Sequence, residues 1–275
     1  MDVLGQRLPR RILAPVIGRA PSRRALVTAA LAAGALWPPR AEAIEAPAPI
    51  PPDRAVRIAM LLFPGMTALD LVGPQTLLAG LAPGHLHLVA ARAGPVASDT
   101  DLALVATRTF EDCPRDLDVL LVPGGDGTPA QMRNAALLAF LRDRAARATW
   151  VTSVCTGSLI LGAAGLLRGY RATSHWCVRD AVLPLLGAEP VAERVVFDRN
   201  RVTAAGISAG LDLGLALAAR LRGPDYARTA QLVAEYAPEP PFQAGTPGTA
   251  GPAIVRAADA ILAPLVAGAT EAAKQ

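Results

Sequence analysis

The chain predicts a mainly parallel, doubly wound α/β sheet sandwiched by helices, and three observations carry that prediction. Strand signals recur at Val56–Phe63, Leu117–Val122 and Thr149–Val154, the first an apolar run of the kind that burial on both faces requires. Helical patterns separate them, the alternation that builds βαβ units. Each stretch also ends at a turn: Pro64-Gly65, Pro123-Gly124-Gly125-Asp126-Gly127, or the junction at Cys155. With 275 residues, 52% of them hydrophobic, the chain is long enough for one large domain with a substantial core.

Taken in order, residues 1–43 read as a leader. They hold seven arginines against Asp2 and Glu42, so the net charge of +4 belongs to this segment and the remainder is close to neutral. Ser22-Arg23-Arg24 precedes an uncharged run from Ala25 to Trp37, and Ala41-Glu42-Ala43 is a small-x-small cleavage pattern. The twin arginine before a mild apolar stretch resembles a Tat signal, although Phe-Leu-Lys does not follow it. The stretch is too short to span a bilayer. A periplasmic or secreted protein with no membrane attachment after leader removal is therefore expected. A cytoplasmic protein with an unused extension is the competing reading.

Residues 44–245 hold the domain. Leu71–Leu81 is a short helix with Gly73-Pro74 in its first turn. His85–Ala91 alternates as a strand, and Ala135–Arg147 is amphipathic. Thr156–Ala164 is a helix of small residues stopped by Gly165. Val191–Asp198 and Arg201–Ala205 flank Arg199-Asn200 as a hairpin. Ser208–Leu221 and Asp225–Tyr236 are helical, residues 237–253 are irregular, and residues 246–275 form an extension ending in an amphipathic helix.

The chemistry concentrates at Cys155. In open α/β sheets ligands gather at the C-terminal ends of strands, and Cys155 stands at such an end. The start of a helix stabilises a thiolate, so a thiol pKa below the ordinary ~8.5 is expected there. The competing reading is an inert buried cysteine. Asp70 follows the loop after the first strand and lies on the same sheet edge. It is a candidate for proton transfer, or an N-cap, or both. Pro123–Gly127 is either a tight turn or a loop whose backbone N–H groups meet the substrate. The histidines are His85, His87 and His175. His175 lies one strand downstream and is read as structural beside Trp176, so a Cys–His dyad is poorly supported.

Other classes are excluded. No CxxC, HExxH or clustered His/Cys spacing suggests a metal. Nor does a lysine follow the glycine loop as in a P-loop, and the body carries no basic footprint for nucleic acid. Three cysteines cannot all pair within one chain, and Cys113 and Cys177 have no partner motif.

Four segments in order, LLFPGMTALDLVGP, FEDCPRDLDVLLVPGGDG, VTSVCTGSLILGAAGLLRGYRATSHW and EYAPEPPFQAG, resemble the isocyanide hydratases of the ThiJ/PfpI superfamily, relatives of class I glutamine amidotransferases. The resemblance spans about Val56 to Gly245, and the leader departs from it. It implies a flavodoxin-like fold with a cysteine nucleophile elbow, a homodimer, no cofactor, and hydration of an isocyanide to an N-substituted formamide. It makes Cys155 the nucleophile, Asp70 its acid/base partner and Thr156 a polar contributor, with Gly124 and Gly125 shaping the substrate pocket. The alternatives are an amidase or glyoxalase-like cysteine enzyme, and a sensor module like those of AraC-type regulators. Only 39 residues follow Tyr236, too few for two helix-turn-helix units.

Overall fold

The computed structural model describes residues 47–275, apart from 49, 52, 82 and 84, so the expected leader lies outside the described residues. Those residues form one compact unit. It opens with β1 (Ile58–Leu61), α1 (Ala68–Leu78) and β2 (Leu86–Ala90). A hairpin of β3 (Gly94–Ala97) and β4 (Ala103–Ala106) precedes the short β5 (Arg108–Thr109). Then come β6 (Val119–Val122), α2 (Thr128–Gln131), α3 (Ala135–Ala145), β7 (Trp150–Val154) and α4 (Gly157–Ala163). Next are β8 (Arg171–Ala172), α5 (Trp176–Val182), β9 (Glu189–Pro190), β10 (Val195–Asp198) and β11 (Arg201–Ala204). The chain closes with α6 (Ala209–Arg222), α7 (Pro224–Val233), α8 (Pro247–Ala250) and α9 (Pro252–Ala272).

Seven strands form one sheet in the order β10-β11-β7-β6-β1-β2-β5. Every pairing is parallel except that of β10 with β11, the antiparallel edge of a doubly wound sheet. β1, β6 and β7 are buried along their whole length, which is why β1 and β6 read as unbroken apolar runs rather than as alternation, while β7 carries two small hydroxyl residues, Thr152 and Ser153. Within β7 the buried Thr152 hydroxyl is satisfied by donating to the Leu120 carbonyl of β6 (3.1 Å).

Connections run from β1 outward to β2 and β5 on one side, and from β6 outward to β7 and β11 on the other. The switch point thus falls between β1 and β6, the place at the carboxyl ends of the strands where sheets of this kind bind ligands.

One expectation needs correction. α1 starts at Ala68, not Leu71, and its N-cap is the extended Thr67. Pro74 sits inside that helix, where Gly210 and Gly214 of α6 pack against its ring and backbone; tertiary packing offsets the lost helical bond. Asp70 is consequently a first-turn residue and not a cap. α9 packs on α2 and α5 as part of the same unit, with Ala269 and Ala272 buried. By length and composition α9 is long and apolar enough to cross a membrane.

Candidate active site

Four adjacent strands deliver the site. After β1 the chain turns into α1 and carries Asp70, after β6 comes Gly124, after β7 Cys155, and after β11 the Ala205–Ile207 turn. Residues scattered over more than 130 positions therefore meet at one sheet edge.

Cys155 has φ +55°, a conformation that costs a non-glycine residue roughly 1 kcal/mol or more. Both of its backbone groups are held there. Its N–H donates to the carbonyls of Ala204 (3.1 Å) and Ala205 (2.9 Å), while its carbonyl accepts from the hydroxyls of Ser158 (3.2 Å) and Ser174 (3.0 Å). This is a nucleophile elbow: the sharp turn between β7 and α4 sets the thiol off from both elements. The side chain is almost fully enclosed.

Asp70 is completely buried. Its Oδ2 accepts from the Gly124 N–H (2.8 Å), and its Oδ1 has no hydrogen-bond partner. Burial raises this carboxyl to about 7, the Gly124 N–H and the nearby thiol pull it back, and Asp99 raises it further. Thiol and carboxylate lie close enough to shift one another's ionisation without a formed hydrogen bond between them.

The expected low thiol pKa is not what the structure has. Burial pushes the Cys155 thiol well up, the Asp70 charge adds to that, and the N–H groups of Ile207 and Thr156 only partly oppose them. α4 has seven residues, and its field cannot offset complete removal of the sulfur from water. In the resting pair the sulfur holds its proton more tightly than the carboxyl does. The arrangement suits a thiol that ionises only as its proton is taken.

Of the two readings of the glycine loop, the geometry fits the tight turn. The Gly124 N–H is spent on Asp70 and the Gly125 N–H on the Thr156 hydroxyl (3.0 Å), so neither is free for a substrate. Close packing explains the glycines. A Cβ on Gly124 would collide with Thr156, and one on Gly125, at φ +131°, with the backbone of residues 65–67. Thr156, fully buried, also shares a hydrogen bond with the Thr128 hydroxyl (2.7 Å). It ties the loop after β6 to the elbow after β7, acting on position rather than on a reacting atom.

An open cavity of about 610 Å³ lies beside the elbow, walled by Ser174, His175, Trp176, Ala205, Gly206 and Ile207 among others and reaching Gly245–Pro247, with Cys155 and Asp70 just behind that wall rather than on it. Ser174 and Ile207 were invisible to sequence reasoning, since their roles rest on a backbone carbonyl and a backbone N–H. Among the described residues no cluster of His, Cys, Asp and Glu could hold a metal ion. Cys113, Cys155 and Cys177 are all free thiols.

This cavity, elbow and carboxylate define a class that the comparisons identify. Residues 56–220 match the DJ-1/PfpI family, and the chain belongs to that family. Within it, the chain is 54% identical to the isonitrile hydratase of Pseudomonas putida, over 73% of this chain and 87% of that protein. A crystal structure of a ThiJ/PfpI family protein from Pseudomonas syringae superposes with a TM-score of 0.78 at 53% identity, covering 82% of this chain and 93% of that one. The HTH-type transcriptional regulator CdhR of Pseudomonas aeruginosa is 31% identical over 61% of this chain and 51% of its own length.

Proposed function

We propose that this protein is an isocyanide hydratase, adding water to R–N≡C to give the formamide R–NH–CHO without a cofactor. The observation that carries the reading is the 54% identity to an isonitrile hydratase across 87% of that relative. The buried Cys155–Asp70 pair supplies chemistry that fits it.

In this reading the isocyanide enters the 610 Å³ cavity, its terminal carbon facing the sulfur. Cys155 attacks that carbon while Asp70 carries the thiol proton to it, giving the thioimidate R–N=CH–S–Cys155. The N–H groups of Thr156 and Ile207 steady the sulfur as it takes on charge. Asp70 then takes a proton from water as the oxygen adds to carbon. Expulsion of the sulfur releases the formamide and restores the thiol–carboxylate pair.

The test is direct. Residues 44–275 should convert a simple alkyl isocyanide to its formamide, followed chromatographically, and Cys155→Ser should lower the rate at least ~10⁴-fold. A wild-type protein inert towards a panel of alkyl and aryl isocyanides would overturn the reading.

The same proposal includes a homodimer and an exported precursor. Leu232, Val233, Phe242 and Ile261 are apolar and largely exposed, a surface that a second copy would cover. Light scattering should give twice the chain mass. For the leader, the intact mass after native expression should correspond to cleavage after Ala43.

A further inference from the structure

Hydration of an isocyanide requires something at the nitrogen as well as at the carbon. Cys155 and Asp70 act on the carbon. When water adds to the thioimidate, the C=N π pair moves onto nitrogen, and a donor there lowers the barrier. The question is which group on the cavity wall can supply one.

Trp176, Arg179, Arg194, Ser208 and Thr246 also line that wall, but Ser174, His175 and Ile207 are the residues tied to the elbow: Ser174 through the Cys155 carbonyl, Ile207 through its N–H beside the thiol, and His175 through Gly206 in the adjoining turn. Ser174 is committed, donating to the Cys155 carbonyl (3.0 Å), and Ile207 is apolar. His175 remains. Its Nδ1 is engaged by Cys177, 3.0 Å from the sulfur and 3.4 Å from the backbone N–H. The backbone N–H can only donate, so Nδ1 is the accepting nitrogen and the ring proton sits on Nε2. The Cδ2–Nε2 edge packs over Gly206 so closely that a Cβ there would strike it. Gly206 lies between Ala205, whose carbonyl accepts the Cys155 N–H, and Ile207, whose N–H opposes the rise of the thiol pKa.

We infer that His175, as a neutral imidazole with its tautomer fixed by residue 177, donates Nε2–H to the substrate nitrogen and is a catalytic residue in the hydrolysis of the thioimidate. This rests on the isocyanide hydratase reading. Burial lowers the His175 pKa, so the ring stays uncharged at neutral pH and polarises the C=N bond as a hydrogen-bond donor rather than as an acid.

The atoms balance without an outside reactant. Asp70 takes one proton from water as the hydroxyl adds to carbon, and the π pair arrives on nitrogen under the His175 N–H. Asp70 returns that proton to nitrogen, giving R–NH–CH(OH)–S–Cys155. It then takes the hydroxyl proton as the carbonyl forms and the C–S bond breaks. Histidine gains and loses nothing.

His175 is also the N-cap of α5, accepting from the Cys177 N–H, so a structural role must be separated from a chemical one. Two substitutions cross the roles. His175→Asn keeps a good cap but cannot reach the cavity with a donor. His175→Gln places its amide N–H near the position of Nε2 and caps poorly.

The experiment measures turnover of an alkyl isocyanide, thermal midpoint, and intact mass of the protein quenched during turnover. Expected for His175→Asn are an unchanged midpoint, a ~10²-fold lower kcat, and accumulated protein carrying one added isocyanide mass on Cys155. Expected for His175→Gln are a lowered midpoint and a kcat within about tenfold of wild type. An active wild type with His175→Asn equally fast, or slow without the covalent adduct, would overturn the inference alone. An inactive wild type would overturn the function reading and this inference with it.

Discussion

Two buried aspartates stand at opposite ends of the same sheet, and the protein treats them oppositely. Asp118 precedes β6 at the amino-terminal edge. It receives a two-pronged ion pair from Arg54 (2.8 and 3.0 Å) and the Arg57 N–H (2.8 Å). Its own carbonyl accepts from the Trp150 N–H, so it clips the starts of β1, β6 and β7 together. Asp70, at the carboxyl-terminal edge, has one N–H donor, no cation, and an oxygen left without a partner. The difference teaches where each end is optimised. Where the fold needs holding, charge is neutralised. At the proposed site, charge is left unsatisfied, the condition under which a proton is easily taken and given.

The sharpest way to break this comparison is Asp70→Asn. The amide retains an oxygen for the Gly124 N–H but cannot take a proton, so activity should fall ~10²–10⁴-fold. Stability should move the other way. The carboxyl ionises near ~3.9 in an unfolded chain and at about 7 in the fold. The folded state therefore loses relative stability as pH rises from about 4 to about 7, and stays at that disadvantage above. Asp70→Asn should be more stable than wild type by roughly 2–4 kcal/mol at pH 8, with the gain vanishing near pH 4. Melting curves at both pH values check this.

Next in size is the pH profile. If ionised Asp70 accepts the thiol proton, kcat/KM should rise through pH 7 and fall about tenfold for each pH unit below it. A profile flat from pH 5 to 8 would remove Asp70 from that role. Thr156→Val comes third. It removes the hydroxyl that accepts from the Gly125 N–H and bonds Thr128, at ~1–3 kcal/mol, and turnover should drop about tenfold as the Gly124 N–H drifts from Asp70. The smallest effect belongs to Asp118→Asn. Arg54 is half exposed, so the pair is screened and its loss should cost only about 1 kcal/mol, with turnover within about twofold of wild type. Denaturant titration beside a turnover assay measures both.

The sheet was legible because β1 and β6 are unbroken apolar runs and because β1, β6 and β7 each end at a turn. The hairpin of β3 and β4 was not, because Gly94–Ala97 and Ala103–Ala106 are short and partly exposed, and neither alternates cleanly. At the site, Cys155 and Asp70 could be placed from their positions after strands. Their ionisation could not, because it depends on burial from every side, which no local pattern encodes. The glycine loop was located correctly but its two readings could not be separated: a sequence shows where N–H groups are, not which of them already have acceptors. Asp118, flanked by Leu117 and Val119, gave no sign of its distant partner Arg54.

The elbow carries one more consequence. Position 155 is held at φ +55° by four hydrogen bonds to its own backbone, none of which uses the sulfur. The turn would therefore form as well, and with less strain, around glycine. Selection for durability and selection for turnover pull this codon in opposite directions. A lineage released from the reaction would drift towards glycine there and grow hardier for it, and the same single change made in the laboratory should yield a sturdier, silent protein.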